Sequence, residues 1–269
     1  LLLRFVALSS WGIERIMPTS QPDYFTKYEN LHFYRDENGI LEVKMHTKGG
    51  SLIFTGKTHR EFPDAFYDIS RDRDNRVVIL TGTGDAWMAE IDFSSLGDVT
   101  NPREWDKTYW EGKKVLQNLL DIEVPVISAV NGAALLHSEY ILTTDIILAS
   151  ENALFQDMPH LNAGIVPGDG VHVLWQLALG LSRGRYFLLT QETLTAQQAY
   201  ELNVVNEVLP QSKLMERAWE LAKQLAKQPT LTLRYTRVAL TQRLKRLVNE
   251  GIGYGLALEG ITATDLRNR

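Results

Sequence analysis

Apolar and polar positions alternate along Leu31–Arg35 and again along Leu41-Glu42-Val43-Lys44-Met45-His46. Asp36-Glu37-Asn38-Gly39 lies between them, so the pair predicts a β-hairpin closed by an Asn-Gly turn. Helical spacing follows over Lys57–Asp72. Arg76–Thr81 is a short, β-branched run with the pattern of a buried strand, ended by Gly82-Thr83-Gly84. Asn101–Ile122 predicts an amphipathic helix with Pro102 in its first turn. Val126–Val130 and Asp145–Ala149 are two more buried strands, and Ala133–Thr143 between them reads as a helix. From Gln211 onward the pattern is helical over Lys213–Lys227, Thr230–Glu250 and Leu256–Arg267, with Pro229 and Gly251-Ile252-Gly253 as joints.

Strands alternating with helices predict an α/β protein. Short strands and recurrent Gly-rich turns favour a coiled ββα ladder over one flat sheet. The expected organisation is an upstream extension over residues 1–16, a core over 17–210 and a C-terminal helical region over 211–269. The start at Leu1-Leu2-Leu3 is a poor match to a signal peptide, because Arg4 interrupts the apolar run and Glu14-Arg15 follow. The longest uncharged stretch, Val124–Ser138, is too short for a membrane-spanning helix, and a soluble, cytoplasmic protein is expected.

Composition narrows the chemistry. The net charge of −5, with 28 basic and 33 acidic residues, argues against a nucleic-acid partner. Cysteine is absent, which leaves His, carboxylates, hydroxyls and backbone groups to do chemistry. The six histidines show no HExxH spacing, so no metal is expected. Thr81-Gly82-Thr83-Gly84 lacks the ending of a phosphate loop.

Three segments carry a family resemblance: Thr81–Phe93; Pro125–Gly132 leading to Thr144–Ala149; and Phe155–Gly170 with Gly164-Ile165-Val166-Pro167-Gly168-Asp169-Gly170. Together they resemble the crotonase (enoyl-CoA hydratase/isomerase) superfamily. The resemblance covers roughly residues 28–269. It implies a crotonase-like ββα spiral core, a C-terminal helical trimerisation region and an oxyanion hole of two backbone N–H groups. Departures from the common pattern are informative. Ala89-Glu90-Ile91-Asp92 has Glu where CoA-using members carry Gly. The second loop reads Ala133-Ala134-Leu135-Leu136-His137-Ser138 instead of a glycine run, and His160 falls where hydratases have their second acid/base Glu.

Those departures resemble the β-diketone hydrolase branch that includes 6-oxocamphor hydrolase. The shared features are His137, Asp157-Met158-Pro159-His160, Pro167-Gly168-Asp169-Gly170-Val171-His172, Glu259 and the stretch Ser51–His59, where Phe54 replaces a Trp and His59 is retained. The resemblance implies cofactor-independent hydrolysis of a C–C bond in a cyclic or bicyclic 1,3-diketone by a retro-Claisen route. It also implies a homotrimer or a dimer of trimers. His160 is the expected base, with Asp169 orienting it. His137 is the expected oxyanion donor, with the backbone N–H of Ala89. Glu259 would hold water or assist protonation, Phe54 would form a pocket wall, and His59 would contact substrate or water. Glu139 rivals His137, and His172 is expected to be structural. Read without the resemblance, His160 can equally be a loop histidine, His137 a helix histidine and Glu259 a solvated carboxylate. The competing functions are a CoA-thioester hydratase, isomerase or hydrolase, and a non-catalytic RNA-binding or scaffold protein.

Overall fold

The computed structural model describes residues 21–268, so the expected extension over 1–16 lies outside the described residues. The chain runs β1 (Leu31–Arg35), β2 (Ile40–Met45), β3 (Ile53–Phe54), α1 (Gly56–Arg71), β4 (Val77–Gly82), β5 (Ala86–Met88), β6 (Glu90–Ile91) and α2 (Pro102–Leu120). It continues β7 (Val126–Val130), β8 (Ala133–Ala134), α3 (Glu139–Leu142), β9 (Ile146–Ser150), β10 (Leu154–Phe155), α4 (Pro159–Ala163), α5 (Val171–Leu179) and α6 (Leu181–Thr190). It closes with β11 (Leu194–Thr195), α7 (Ala196–Glu201), β12 (Glu207–Leu209), α8 (Leu214–Leu225) and α9 (Thr230–Asp265).

Each turn of the chain adds one strand to each of two sheets. β4, β7 and β9 lie parallel in the sheet ordered β1-β2-β4-β7-β9-β12, while β5, β8 and β10 lie parallel in the sheet ordered β11-β10-β8-β5. This is the ββα spiral expected from the short strands. The β1–β2 hairpin is antiparallel, as its alternation predicts. Its turn needs glycine: Gly39 has φ +78°, and a Cβ there would sit 2.5 Å from the Asp74 carbonyl oxygen.

Strand parity explains the two faces of the large sheet. Val78 and Leu80 point into the main core, whereas Val77 and Ile79 pack with Ile127 and Ala129 against Leu214, Ala218 and Ala222 of α8. A parallel sheet buried on both faces reads as a continuous apolar run, which is what Arg76–Thr81 shows.

Two expected elements differ. Ala133–Thr143 is not one helix. Ala133 and Ala134 pair with β5, and Ala134 also pairs with β10. The Leu135 and Leu136 N–H groups donate to the Met88 carbonyl, and His137 takes the left-handed φ of +44°. The backbone groups a helix would use are claimed by neighbouring turns of the spiral, so only Glu139–Leu142 is helical.

Gly251-Ile252-Gly253 is not a joint either: α9 runs through it unbroken. The glycines serve packing instead. A Cβ on Gly251 would meet Val173 Cγ2 at 2.5 Å, and one on Gly255 would meet His172 Cε1 at 2.2 Å and the Gly168 carbonyl at 2.3 Å. The cost of Gly inside a helix is offset by the close approach of α5 and the Pro167–Gly170 turn.

His172, expected to be structural, fills this crossing. Both of its ring nitrogens are buried without a hydrogen-bond partner of normal geometry, and burial holds its pKa below 6.5, partly offset by Asp169. The folded state therefore favours neutral imidazole. Its contribution to stability is present above the unfolded-state pKa near 6.5 and is lost as pH falls through the lower folded value. Chemical denaturation of wild type and His172→Gln across pH 7 to 5 is expected to show the wild type losing stability faster on acidification; parallel curves would refute this.

Candidate active site

The second spiral loop, α4, the turn before α5 and the last third of α9 converge on one pocket, open at its mouth. Its wall is apolar over Phe54, Leu136, Ile165 and Leu256, and one side carries a cluster of imidazoles and carboxylates. No Lys or Arg is among its lining residues.

The geometry is set locally. The left-handed φ of His137 turns its ring toward α3, where Nδ1 lies 3.0 Å from Glu139 Oε1 and 3.3 Å from Asp169 Oδ2. The ring is sandwiched by Tyr140, stacked at 5.0 Å between centroids, and Phe54 at 4.4 Å. With Nδ1 committed to the carboxylates, a proton on Nε2 is available to the pocket. His160, in the first turn of α4, is placed by Pro159 at the helix start. Its Nδ1 lies 2.6 Å from Asp157 Oδ1, and its Nε2 faces Asp169 Oδ2 at 3.5 Å and Glu259 Oε1 at 3.7 Å.

The electrostatics follow from crowding charges in a dry site. Burial lowers the imidazole pKa, but for His137 the facing Glu139 and Asp169 outweigh it, and the pKa rises well above 6.5. His160 behaves likewise: burial lowers, while Asp169 and Asp157 raise more strongly. Asp169 works in reverse, since burial raises its pKa but His160 and His137 pull it below the ordinary carboxylate range. Burial, and then Asp169, raise Glu139, partly offset by His137. Burial also raises Glu259, offset by His160. One oxygen each of Glu139, Asp169 and Glu259 is buried without a partner.

His160, Asp169, His137, Glu259, Phe54 and His59 all line this pocket. Ala89 lies on the link between β5 and β6 and is not among the lining residues. The ring orientation of His160 comes from Asp157, which the sequence presented only as part of its motif; Asp169 instead bridges the two imidazoles. The Asp-x-x-His spacing, one helical turn, was the available signal. Glu139, the rival to His137, proves to be its partner. His59 pairs with Glu111 at 2.6 Å and sits edge-on to Phe54. His137, Glu139 and Asp169 offer ligand atoms within 4.8 Å of one another, the spacing of a candidate cation site.

The sequence profile of the enoyl-CoA hydratase/isomerase family matches residues 35–256, and the chain belongs to that family. Curated relatives include a carnitinyl-CoA dehydratase of Salmonella heidelberg, 32% identical over 230 residues, which span 84% of this chain and 85% of that one. A probable peroxisomal enoyl-CoA hydratase of Arabidopsis thaliana is 29% identical over 245 residues, 87% and 86% of the two chains. Among solved structures, a β-diketone hydrolase from the cyanobacterium Anabaena sp. PCC 7120, bound to (S)-3-oxocyclohexyl acetic acid, is 92% identical. It covers 92% of this chain and 99% of its own, with a TM-score of 0.92. Among the described residues no helix is long and apolar enough to cross a membrane.

Proposed function

We infer that this chain is a β-diketone hydrolase, an enzyme that cleaves the C–C bond between one carbonyl carbon of a cyclic 1,3-diketone and the carbon lying between its two carbonyls, and needs no cofactor. The observation that carries the reading is the 92% identity to such a hydrolase over nearly its whole length. The pocket supports it, because three imidazoles and three carboxylates stand in an otherwise apolar chamber whose lining has no Lys or Arg to hold the phosphates of a CoA thioester.

His160, when neutral, takes a proton from water held between Nε2 and Glu259. The hydroxide adds to one carbonyl carbon, and the resulting oxyanion accepts a hydrogen bond from His137 Nε2–H. A donor placed this way supplies about 2.7–4 kcal/mol of transition-state stabilisation. Collapse of the adduct re-forms the carbonyl and breaks the C–C bond. The bonding pair goes to the second carbonyl as an enolate, which takes the proton back from His160 as it becomes a ketone. Diketone plus water gives one keto acid, with no electron gained or lost. Glu139 and Asp169 keep His137 protonated, and Asp157 fixes the His160 ring. The reading extends to a cytoplasmic homotrimer or dimer of trimers.

The acid bound by the Anabaena enzyme suggests the probe. Joining its carboxyl carbon to the free α-carbon of its ketone, with loss of water, gives bicyclo[2.2.2]octane-2,6-dione. Incubation of that dione with the protein is expected to yield 3-oxocyclohexyl acetic acid in enantiomeric excess on chiral chromatography. Faster turnover of crotonyl-CoA than of the dione would overturn the reading in favour of a hydratase.

A further inference from the structure

We propose that Trp105 is the residue that sets how large a diketone the pocket admits, and that Gly260 determines where its indole stands. This rests on the diketone reading above. Trp105 is on the first turn of α2 and lines the pocket. Its indole lies against α9, with Nε1–H donating to the Leu256 carbonyl at 3.3 Å. Directly beneath it is Gly260, where a Cβ would come within 2.2 Å of Trp105 Nε1, 2.6 Å of Cδ1 and 2.9 Å of Cε2. The indole is therefore sunk into a notch in the helix backbone, as deep as the chain permits.

Two consequences follow. Any side chain at position 260 displaces the indole by about 1 Å, because carbon contacts settle near 3.5–4.0 Å. α9 blocks displacement on its own side, and because Trp105 lines the pocket, a displaced indole changes the space beside Leu256 and Glu259. Leu256 and Glu259 line the pocket from the same stretch of α9, so the notch also fixes the wall beside the carboxylate. Aromatic side chains are rigid fillers with few rotamers, which suits a wall that must hold one position. The indole N–H is committed to the Leu256 carbonyl, so its effect on substrates is one of shape.

The test compares two non-charged probes, bicyclo[2.2.2]octane-2,6-dione and the same dione carrying a propyl group on the bridgehead between its carbonyls. Selectivity is read as the ratio of kcat/KM for the propyl compound to that for the parent. A methylene in an apolar pocket discriminates by about 10–200-fold, so a change of at least about tenfold is expected. Trp105→Leu is expected to raise the ratio and Gly260→Ala to lower it. The double variant Gly260→Ala with Trp105→Leu is expected to return to the ratio of Trp105→Leu, because no indole remains to be displaced. Loss of packing alone would lower both values together and leave the ratio fixed, and that outcome overturns the proposal. Trp105→Leu reads the same ratio should Gly260→Ala fail to fold. Failure of the wild type to cleave the parent dione would overturn the diketone reading itself, whereas cleavage with an unmoved ratio would overturn only the role of Trp105.

Discussion

Replacing His160 by alanine is expected to lower kcat on bicyclo[2.2.2]octane-2,6-dione by about 10²–10⁴-fold, the range a positioned general base supplies. The side chain is nearly inaccessible, is held on Nδ1 by Asp157 and presents Nε2 beside Glu259. The pH profile should carry the same assignment. Despite burial, Asp169 and Asp157 hold the His160 pKa above 6.5. Only the neutral ring can take a proton from water, so the rate is expected to rise with pH along a limb lying above 6.5. Asp157→Asn removes one of the charges that favour the imidazolium. The limb is then expected to move to lower pH, while kcat falls because the ring orientation is no longer fixed. Full activity in His160→Ala, or a limb that stays put in Asp157→Asn, would remove His160 as the base.

The second large effect concerns stability. Arg237 of α9 is 2% exposed and reaches into the core. Its Nε–H donates to Asp145 Oδ2 at 2.6 Å, and its other nitrogens donate to the carbonyls of Leu120, Ile122 and Thr143. One guanidinium thus ties together the end of α2, the entry to β7 and the approach to β9. Asp145 Oδ2 also accepts from the Val126 N–H, so the pair sits on the sheet itself. Asp145 is itself exposed, but removing Arg237 leaves the buried carbonyls of Leu120, Ile122 and Thr143 without their donor, at a cost of about 1–3 kcal/mol. Arg237→Ala is expected to lower unfolding free energy by that amount in urea, with Arg237→Lys recovering only part, since an ammonium cannot serve so many spread acceptors. A loss under about 1 kcal/mol would show that the tie is incidental.

Much of this was readable in the sequence, for identifiable reasons. The hairpin, α1, β4, α2 and β7 follow from local alternation, helical spacing and caps such as Thr55 and Asn101. Those signals involve neighbours in the chain. The misread segments are ones whose structure is decided at a distance. Ala133–His137 has an apolar helix-like composition, yet Met88 and Phe155 claim its backbone. Gly251 and Gly253 look like breaks until Val173 and Tyr109 are seen to fill them. At the site, family-like motifs brought His137, His160, Asp169 and Glu259 to one pocket, but did not say which carboxylate serves which imidazole. Asp157 and Asp169 are both close in sequence to His160, and only the folding of the Pro167–Gly170 turn sends Asp169 between the rings.

The unbroken course of α9 has a mechanical meaning. Arg237 anchors it near one end, and Glu259 stands 22 residues further along. At 1.5 Å per residue the carboxylate rides on an arm of about 33 Å. A tilt of about 2° at the anchor would swing Glu259 by about 1 Å, enough to cost a well-placed group about 10²-fold in rate. The glycine notches at 251, 253, 255 and 260 act along this arm as bearings, each seating a side chain from the body of the enzyme. Wear at any bearing is then felt at the tip, so substitutions far from the substrate can blunt turnover while leaving every reacting group in place.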